Sequence, residues 1–392
     1  MTCEVAVMNK RGIALAADSA VTLGEGRKIY HTAEKLFSLS PSVPIAIMTF
    51  GAADLMNVPW ETVIKIYAQK LGNRRFDTVE QHAEDFLAFI EGATALFPTK
   101  DQEEYVRRII GTAWSDLYRD KLLRQFGQDS NATESEIVAA LSSIIRSDHQ
   151  LWIKEPDIDE LSPDYGTLVV RTYEQVIRQV QKDIFGHIKL NEALRSDLRK
   201  TVSFLFQKQW PEPFESGVVV AGMGEAEPFP VLVHYNIGTI AAGKLRYTKS
   251  DDTRIGDGVD AVVVPFAQRE TIDMIISGIH PTVRDQLIND AGRWVTKVST
   301  DKKGKDAKLN RKVQNEFANY IERQISERYG PVMNAVSALP RQDLAKMAEA
   351  LVSLTAFLMR MSANKDETVA EPIDVALLSK GDGFIWVKHK EL

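Results

Sequence analysis

Thr2 and Asp18 are the first residues whose type and position suggest chemistry. With Met1 removed, Thr2 leads the chain carrying a hydroxyl and a free α-amine, so a nucleophile and a base arrive on one residue. Asp18 ends the apolar run Gly12-Ile-Ala-Leu-Ala-Ala-Asp-Ser19 and sets a carboxylate at a strand terminus. Cys3, the single cysteine, is one residue too late to be exposed by loss of Met1 and is expected to pack inward.

The elements that must position these residues follow from periodicity. Residues 4–8 and 13–17 read as strands joined by the turn Asn9-Lys10-Arg11-Gly12. A loop containing Gly24-Glu-Gly26 follows, then a strand at Lys35-Leu-Phe-Ser-Leu, a turn at residues 41–44 and a strand over 45–49. From Ala52 the spacing turns helical, with Leu55, Val63, Ile66 and Tyr67 on one face up to Leu71.

Residues 72–210 differ in character. Runs such as Glu103-Glu104-Tyr-Val-Arg-Arg-Ile-Ile predict several amphipathic helices and no strand pair, and Trp210-Pro-Glu-Pro213 breaks the pattern. Strands are predicted again at 217–221, 230–237, 243–248 and 259–264, with residues 251–258 as a loop. Helices run from about 269 through 361, interrupted by the charged loop 301–305, with Pro340 fronting a new helix. A last strand pair, 373–379 and 384–388, turns at Lys380-Gly-Asp-Gly383.

Composition bounds the function. The 392 residues, 44% hydrophobic and 26% charged, describe a globular chain, and a net charge of -6 gives no general attraction to nucleic acid. One cysteine excludes an internal disulfide framework. The start of the chain does not read as a signal peptide, and no apolar run is long enough for a membrane span, so a cytoplasmic protein is expected. The seven histidines are scattered, and neither a zinc-binding pair nor a Walker loop occurs. Asp251, Asp252, Asp257 and Asp260 lack calcium-loop spacing, so no metal and no cofactor are called for.

Thr2, Asp18, Lys35 at the head of Lys-Leu-Phe, and Gly51-Ala-Ala-Asp54 at an expected helix start stand in one order along the chain. In this the sequence resembles the β-type proteasome subunits and their bacterial homologues, the N-terminal-nucleophile hydrolases. Lys365-Asp366, ahead of Ile373-Asp374-Val375, is similar to the family's segment before its final strand. The resemblance covers residues 2–71 and, in outline, 217–390.

It implies an α+β fold, a four-layer αββα N-terminal-nucleophile hydrolase sandwich made of residues 1–71 and 211–392, with residues 72–210 as a large helical insertion. It implies a catalytic set of Thr2, Asp18, Lys35 and Asp366, with backbone N–H groups near Phe50 and Gly51 holding the oxyanion beside the substrate groove. Physically, a threonine that forms an alkoxide needs a nearby cation, and a lysine held between carboxylates supplies one. Two departures stand out: Phe50 takes a position usually held by glycine, and no serine occurs near residues 264–267.

The expected activity is a threonine-dependent amide hydrolysis, on a polypeptide or peptide, through an acyl-ester. The alternatives are an inactive subunit that serves as an assembly or binding platform through its helical stretch, and a small-molecule amidase. Self-assembly into a ring or helical stack is implied, with any ATPase partner unknown and neither nucleic acid nor membrane as partners.

Overall fold

A computed structural model describes residues 2–23, 28–30, 33–40, 43–127, 132–186, 188–210, 212, 214–298, 307–361 and 369–390. The loop expected at 24–26 and the charged loop at 301–305 lie outside the described residues.

The first strands are β1 (Cys3–Asn9), β2 (Gly12–Asp18), β3 (Val21–Leu23), β4 (Lys28–Tyr30), β5 (Leu36–Ser40) and β6 (Val43–Gly51). Two short strands, β7 (Asp54–Leu55) and β8 (Val58–Pro59), precede helix α1 (Trp60–Leu71). Seven helices follow: α2 (Val79–Gly92), α3 (Thr99–Trp114), α4 (Asp120–Phe126), α5 (Glu134–Trp152), α6 (Tyr165–Thr172), α7 (Glu174–Phe185) and α8 (Glu192–Gln207). A π-helical turn, Ser115–Arg119, joins α3 to α4.

Then come β9 (Ser216–Gly222), β10 (Val231–Ala241), β11 (Lys244–Arg254) and β12 (Ala261–Ala267). The remaining helices are α9 (Arg269–Ser277), α10 (Pro281–Val298), α11 (Ala307–Ala338) and α12 (Arg341–Met361), before β13 (Ile373–Ser379) and β14 (Gly383–Lys388).

The expected α+β class is met by two five-stranded antiparallel sheets. One runs β12-β1-β2-β13-β14 and the other β11-β10-β9-β6-β5. Strand alternation explains how they stack. In β1, Ala6 and Met8 face the second sheet and meet Ala46, Met48 and Val219, while Val5 and Val7 face helices. Leu344, Val352 and their neighbours on α12 cover that outer face. On the far side, Ile45, Ile47, Val218 and Val233 of the second sheet pack against Trp60, Tyr67 and Phe86. Every residue of β1 and β2 is therefore buried, on both faces.

The same apolar core continues from the second sheet into the helices beyond α1, through Trp114, Tyr118, Phe185 and Phe206. A buried ion pair ties the end of that stretch to the sheet: Arg246 Nη1 of β11 lies 3.0 Å from Glu212 Oε1. Among the described residues, no helix is long and apolar enough to cross a membrane.

Two sequence expectations are corrected. Gly51-Ala-Ala-Asp54 does not head a helix; residues 54–59 form the β7–β8 hairpin, and α1 begins at Trp60. Met56 and Asn57 turn that hairpin with positive φ, and Pro59 disfavours helical geometry in the residue before it. The expected loop at 251–258 is strand as far as Arg254: β11 is an edge strand, and Asp252 and Arg254 at its end are exposed to solvent.

Candidate active site

The candidate site forms where β1, β2 and the entry to β5 converge. Thr2, Glu4, Asp18 and Lys35 are all buried there, with Glu4 wholly inaccessible. Asp18 fixes the geometry. Its Oδ1 accepts from Cys3 N at 3.0 Å and Lys35 Nζ at 2.7 Å, and its Oδ2 accepts from Ala20 N at 3.0 Å and Ala370 N at 3.3 Å. One carboxylate thus joins the chain's start, the end of β2, the lysine and the segment ahead of β13.

Lys35 stands between two carboxylates, 2.7 Å from Asp18 Oδ1 and 3.6 Å from Glu4 Oε1. Its backbone carbonyl accepts from Thr49 N of β6, so the ammonium comes from the second sheet and both carboxylates from the first. Thr2 Oγ1 donates to Glu4 Oε2 at 3.2 Å, and Thr2 O accepts from Gln268 N at 3.0 Å. Three of the four residues expected to be catalytic, Thr2, Asp18 and Lys35, are brought together. The fourth, Asp366, lies outside the described residues.

Glu4 is the residue that sequence reasoning missed. The available signal was a single acidic side chain in the apolar strand Cys3–Asn9, in step with Ala6 and Met8 on the face between the sheets. Burial pushes its carboxyl up to about 8; Lys35 draws it down and Asp18 pushes it further up. Cys3 faces the helices, and burial above all raises its thiol well beyond the usual range, so it is a poor source of thiolate.

Phe50 and Gly51 close β6. Gly51 has φ +83°, and a Cβ there would come within 2.9 Å of Glu215 O, so the position requires glycine. The Phe50 ring lies over Gly217 and against His234 and Phe266, with centroids 5.2 and 5.5 Å away. Phe266 pairs with Glu4 across β1 and β12, so this ring forms part of the wall behind the carboxylate.

One further group, the Lys390 ammonium, holds the site from behind. Lys390 Nζ donates to Ser19 Oγ, Ala33 O and Asp374 Oδ2 at 3.0, 2.6 and 2.7 Å. Among the described residues, no group of three His, Cys, Asp or Glu side chains could hold a metal ion.

No family model matches the chain, and no curated protein matches it. Among solved structures, it is similar to an Anbu (Gly-1) mutant from Hyphomicrobium sp. strain MC1, at 10% identity over 100% of this chain and 86% of that one, with a TM-score of 0.29. Anbu (ancestral beta-subunit) from Yersinia bercovieri is 9% identical over 98% of this chain and 86% of that one, TM-score 0.29. The helical assembly of the Anbu complex from Pseudomonas aeruginosa is 10% identical over 99% and 88%, TM-score 0.29.

Likeness at this level names no family for the chain. The identification with β-type proteasome subunits and their bacterial homologues does not stand. The solved structures named above are Anbu proteins, and no family model or curated protein supports a β-type subunit. That resemblance rested on short motifs at strand ends and turns, which stacked antiparallel sheets need wherever a strand hands over to a loop.

Proposed function

We propose that the protein is an N-terminal threonine hydrolase acting on amide bonds, most naturally those of peptides. Removal of Met1 leaves Thr2 with a free amine, its hydroxyl attacks the carbonyl, and water releases the acyl group from the resulting ester. Lys35 stabilises the developing oxyanion on Thr2, Asp18 holds Lys35, and backbone N–H groups near Phe50 and Gly51 receive the substrate's oxyanion. Asp366 is assigned the amine of Thr2.

The observation that carries this reading is the Thr2 hydroxyl hydrogen-bonded into a buried cluster of two carboxylates and one ammonium, at the spacings given above. Such a cluster is costly to bury and concentrates where charge must be managed. On this reading the fold is an N-terminal-nucleophile sandwich of residues 1–71 and 211–392, residues 72–210 are a helical insertion, and the protein works in the cytoplasm. Self-assembly into a ring or stack is part of it, supported by exposed Leu354, Phe357 and Met361 on one end of α12.

Intact mass should show a chain beginning at Thr2, and Thr2→Ala should abolish labelling by a β-lactone probe. Equal labelling of both forms would end the proposal. Hydrolysis of acyl-amides without cleavage of unfolded polypeptide would make the enzyme a small-molecule amidase.

A second reading has its own support. A groove of about 350 Å³ on the helical stretch is lined by Leu117, Leu151, Trp152 and Trp210, with Leu151 and Ile153 exposed beside it. That surface suits a binding platform, which retention of Met1 would favour.

A further inference from the structure

Glu4 has no task in the reading above, yet it is the side chain hydrogen-bonded to the threonine hydroxyl. Asp18 is fully engaged: four donors occupy its two oxygens. Glu4 is not. Among the described residues, its Oε2 accepts from Thr2, and its Oε1 has no partner at hydrogen-bond distance, with Lys35 Nζ 3.6 Å away. A carboxylate with spare lone pairs beside a hydroxyl is placed to take that hydroxyl's proton.

We propose that Glu4 is the general base of the site, receiving the Thr2 hydroxyl proton in place of the amine of the same residue. The inference rests on Thr2 being the nucleophile. In acylation, Thr2 Oγ1 bonds to the carbonyl carbon, the carbonyl π pair moves onto oxygen, and the hydroxyl proton passes to Glu4 Oε2. As the tetrahedral species collapses, the C–N bond breaks and Glu4 returns the proton to the leaving nitrogen. In deacylation, Glu4 takes a proton from water as the water's oxygen attacks the ester, and gives it back to Thr2 Oγ1 as the C–O bond breaks.

The surroundings suit that exchange. A carboxyl with an ordinary pKa near 4.5 is a weak base for an alkanol; raised to about 8, it is matched to work near neutrality. The charged and titratable groups around it are Lys35 at the entry to β5, Asp18 at the end of β2, and the Cys3 thiol on β1. From the other strands it meets Phe266 of β12, its cross-strand partner, on which His234 of β10 packs. With the proton on Glu4, the amine is free to remain an ammonium. Asp18 is then the one carboxylate of the cluster, facing Lys35 and that ammonium.

The test is the rate of β-lactone labelling between about pH 6 and pH 10, on full-length protein whose N-terminus has been read by mass. Wild type should gain rate through a midpoint near 8, the value to which Glu4 is raised. Glu4→Gln should lose about 100-fold or more in rate, together with that midpoint, while keeping its circular dichroism. An undiminished rate with the same midpoint in Glu4→Gln would overturn the assignment of Glu4 and leave Thr2 as nucleophile. No labelling of wild type at any pH would remove Thr2 as nucleophile, and the base with it. Should Glu4→Gln fail to fold, Glu4→Asp keeps the charge and withdraws it from Thr2: a slower rate with a moved midpoint supports the assignment, and an unmoved profile overturns it.

Discussion

The ammonium of Lys390 lies 3.0 Å from Ser19 Oγ, one residue beyond Asp18. It also binds Ala33 O, two residues before Lys35, and the buried carboxylate of Asp374. A residue far along the chain therefore braces both segments that bring Asp18 and Lys35 to the site.

Replacing Lys390 by Met removes this brace and leaves Asp374 without its ammonium. With only 5% and 2% of the two side chains exposed, loss of about 3–5 kcal/mol in stability is expected. Lys388→Met, at a half-exposed pair with Glu349, should cost no more than about 1 kcal/mol. Urea unfolding of both variants checks the contrast. Equal, small losses would show that the brace carries no load.

Stability should fall toward alkaline pH because of Glu4. Its folded pKa is raised from 4.5 to about 8, so the contribution is full below pH 4.5 and is lost as pH rises through 8. The slope is at most about 1.4 kcal/mol per pH unit, and Glu4→Gln should flatten it. Chemical denaturation series at acid, neutral and alkaline pH read this directly.

His82 predicts the opposite slope on the acid side. Burial lowers its pKa from 6.5 to about 4, so its contribution is present above pH 6.5 and is lost as pH falls through 4. Its Nε2 accepts from Phe76 N at 3.4 Å, an acceptor role that the side-chain oxygen of glutamine can take over. His82→Gln should therefore weaken the acid limb and leave the alkaline one unchanged.

Gly217 gives a steric prediction. A Cβ built there runs into the Phe50 ring, so Gly217→Ala must displace that ring from its contacts with His234 and Phe266. A loss of about 1–3 kcal/mol is expected. Adding Phe50→Leu should recover part of it, and a double-mutant cycle measures the coupling. Strict additivity of the two losses would deny the contact.

Arg246→Met should strand the buried Glu212 carboxylate, whose pKa burial already raises. About 3–5 kcal/mol of destabilisation follows from leaving one member of a buried pair. Arg246→Met with Glu212→Gln should recover a large share, as thermal melts would show.

Local pattern made much of this legible. The β1–β2 hairpin was readable because a four-residue turn separates two apolar runs, and Asp18 stood out as the polar end of one. Glu4 was not readable. Whether a charge in a seven-residue strand points to solvent or to a second sheet depends on what packs on it, which the strand itself does not contain. Lys390 escaped for a similar reason, since its partners Ser19 and Ala33 are reached only through the tertiary fold. Leu55 and Val63 fall at helical spacing although residues 54–59 form the β7–β8 hairpin, and Pro59 disfavours helical geometry just ahead of α1.

Lys35 belongs to one β-layer, while Asp18 and Glu4 belong to the other. The ion cluster is consequently a rivet through both layers. A small slip of one layer across its mate would change the separation of opposite charges in a nearly dry interior, where an ångström alters their attraction steeply. Pressure on the outer helices would thus register in the basicity around Thr2 without anything entering the site.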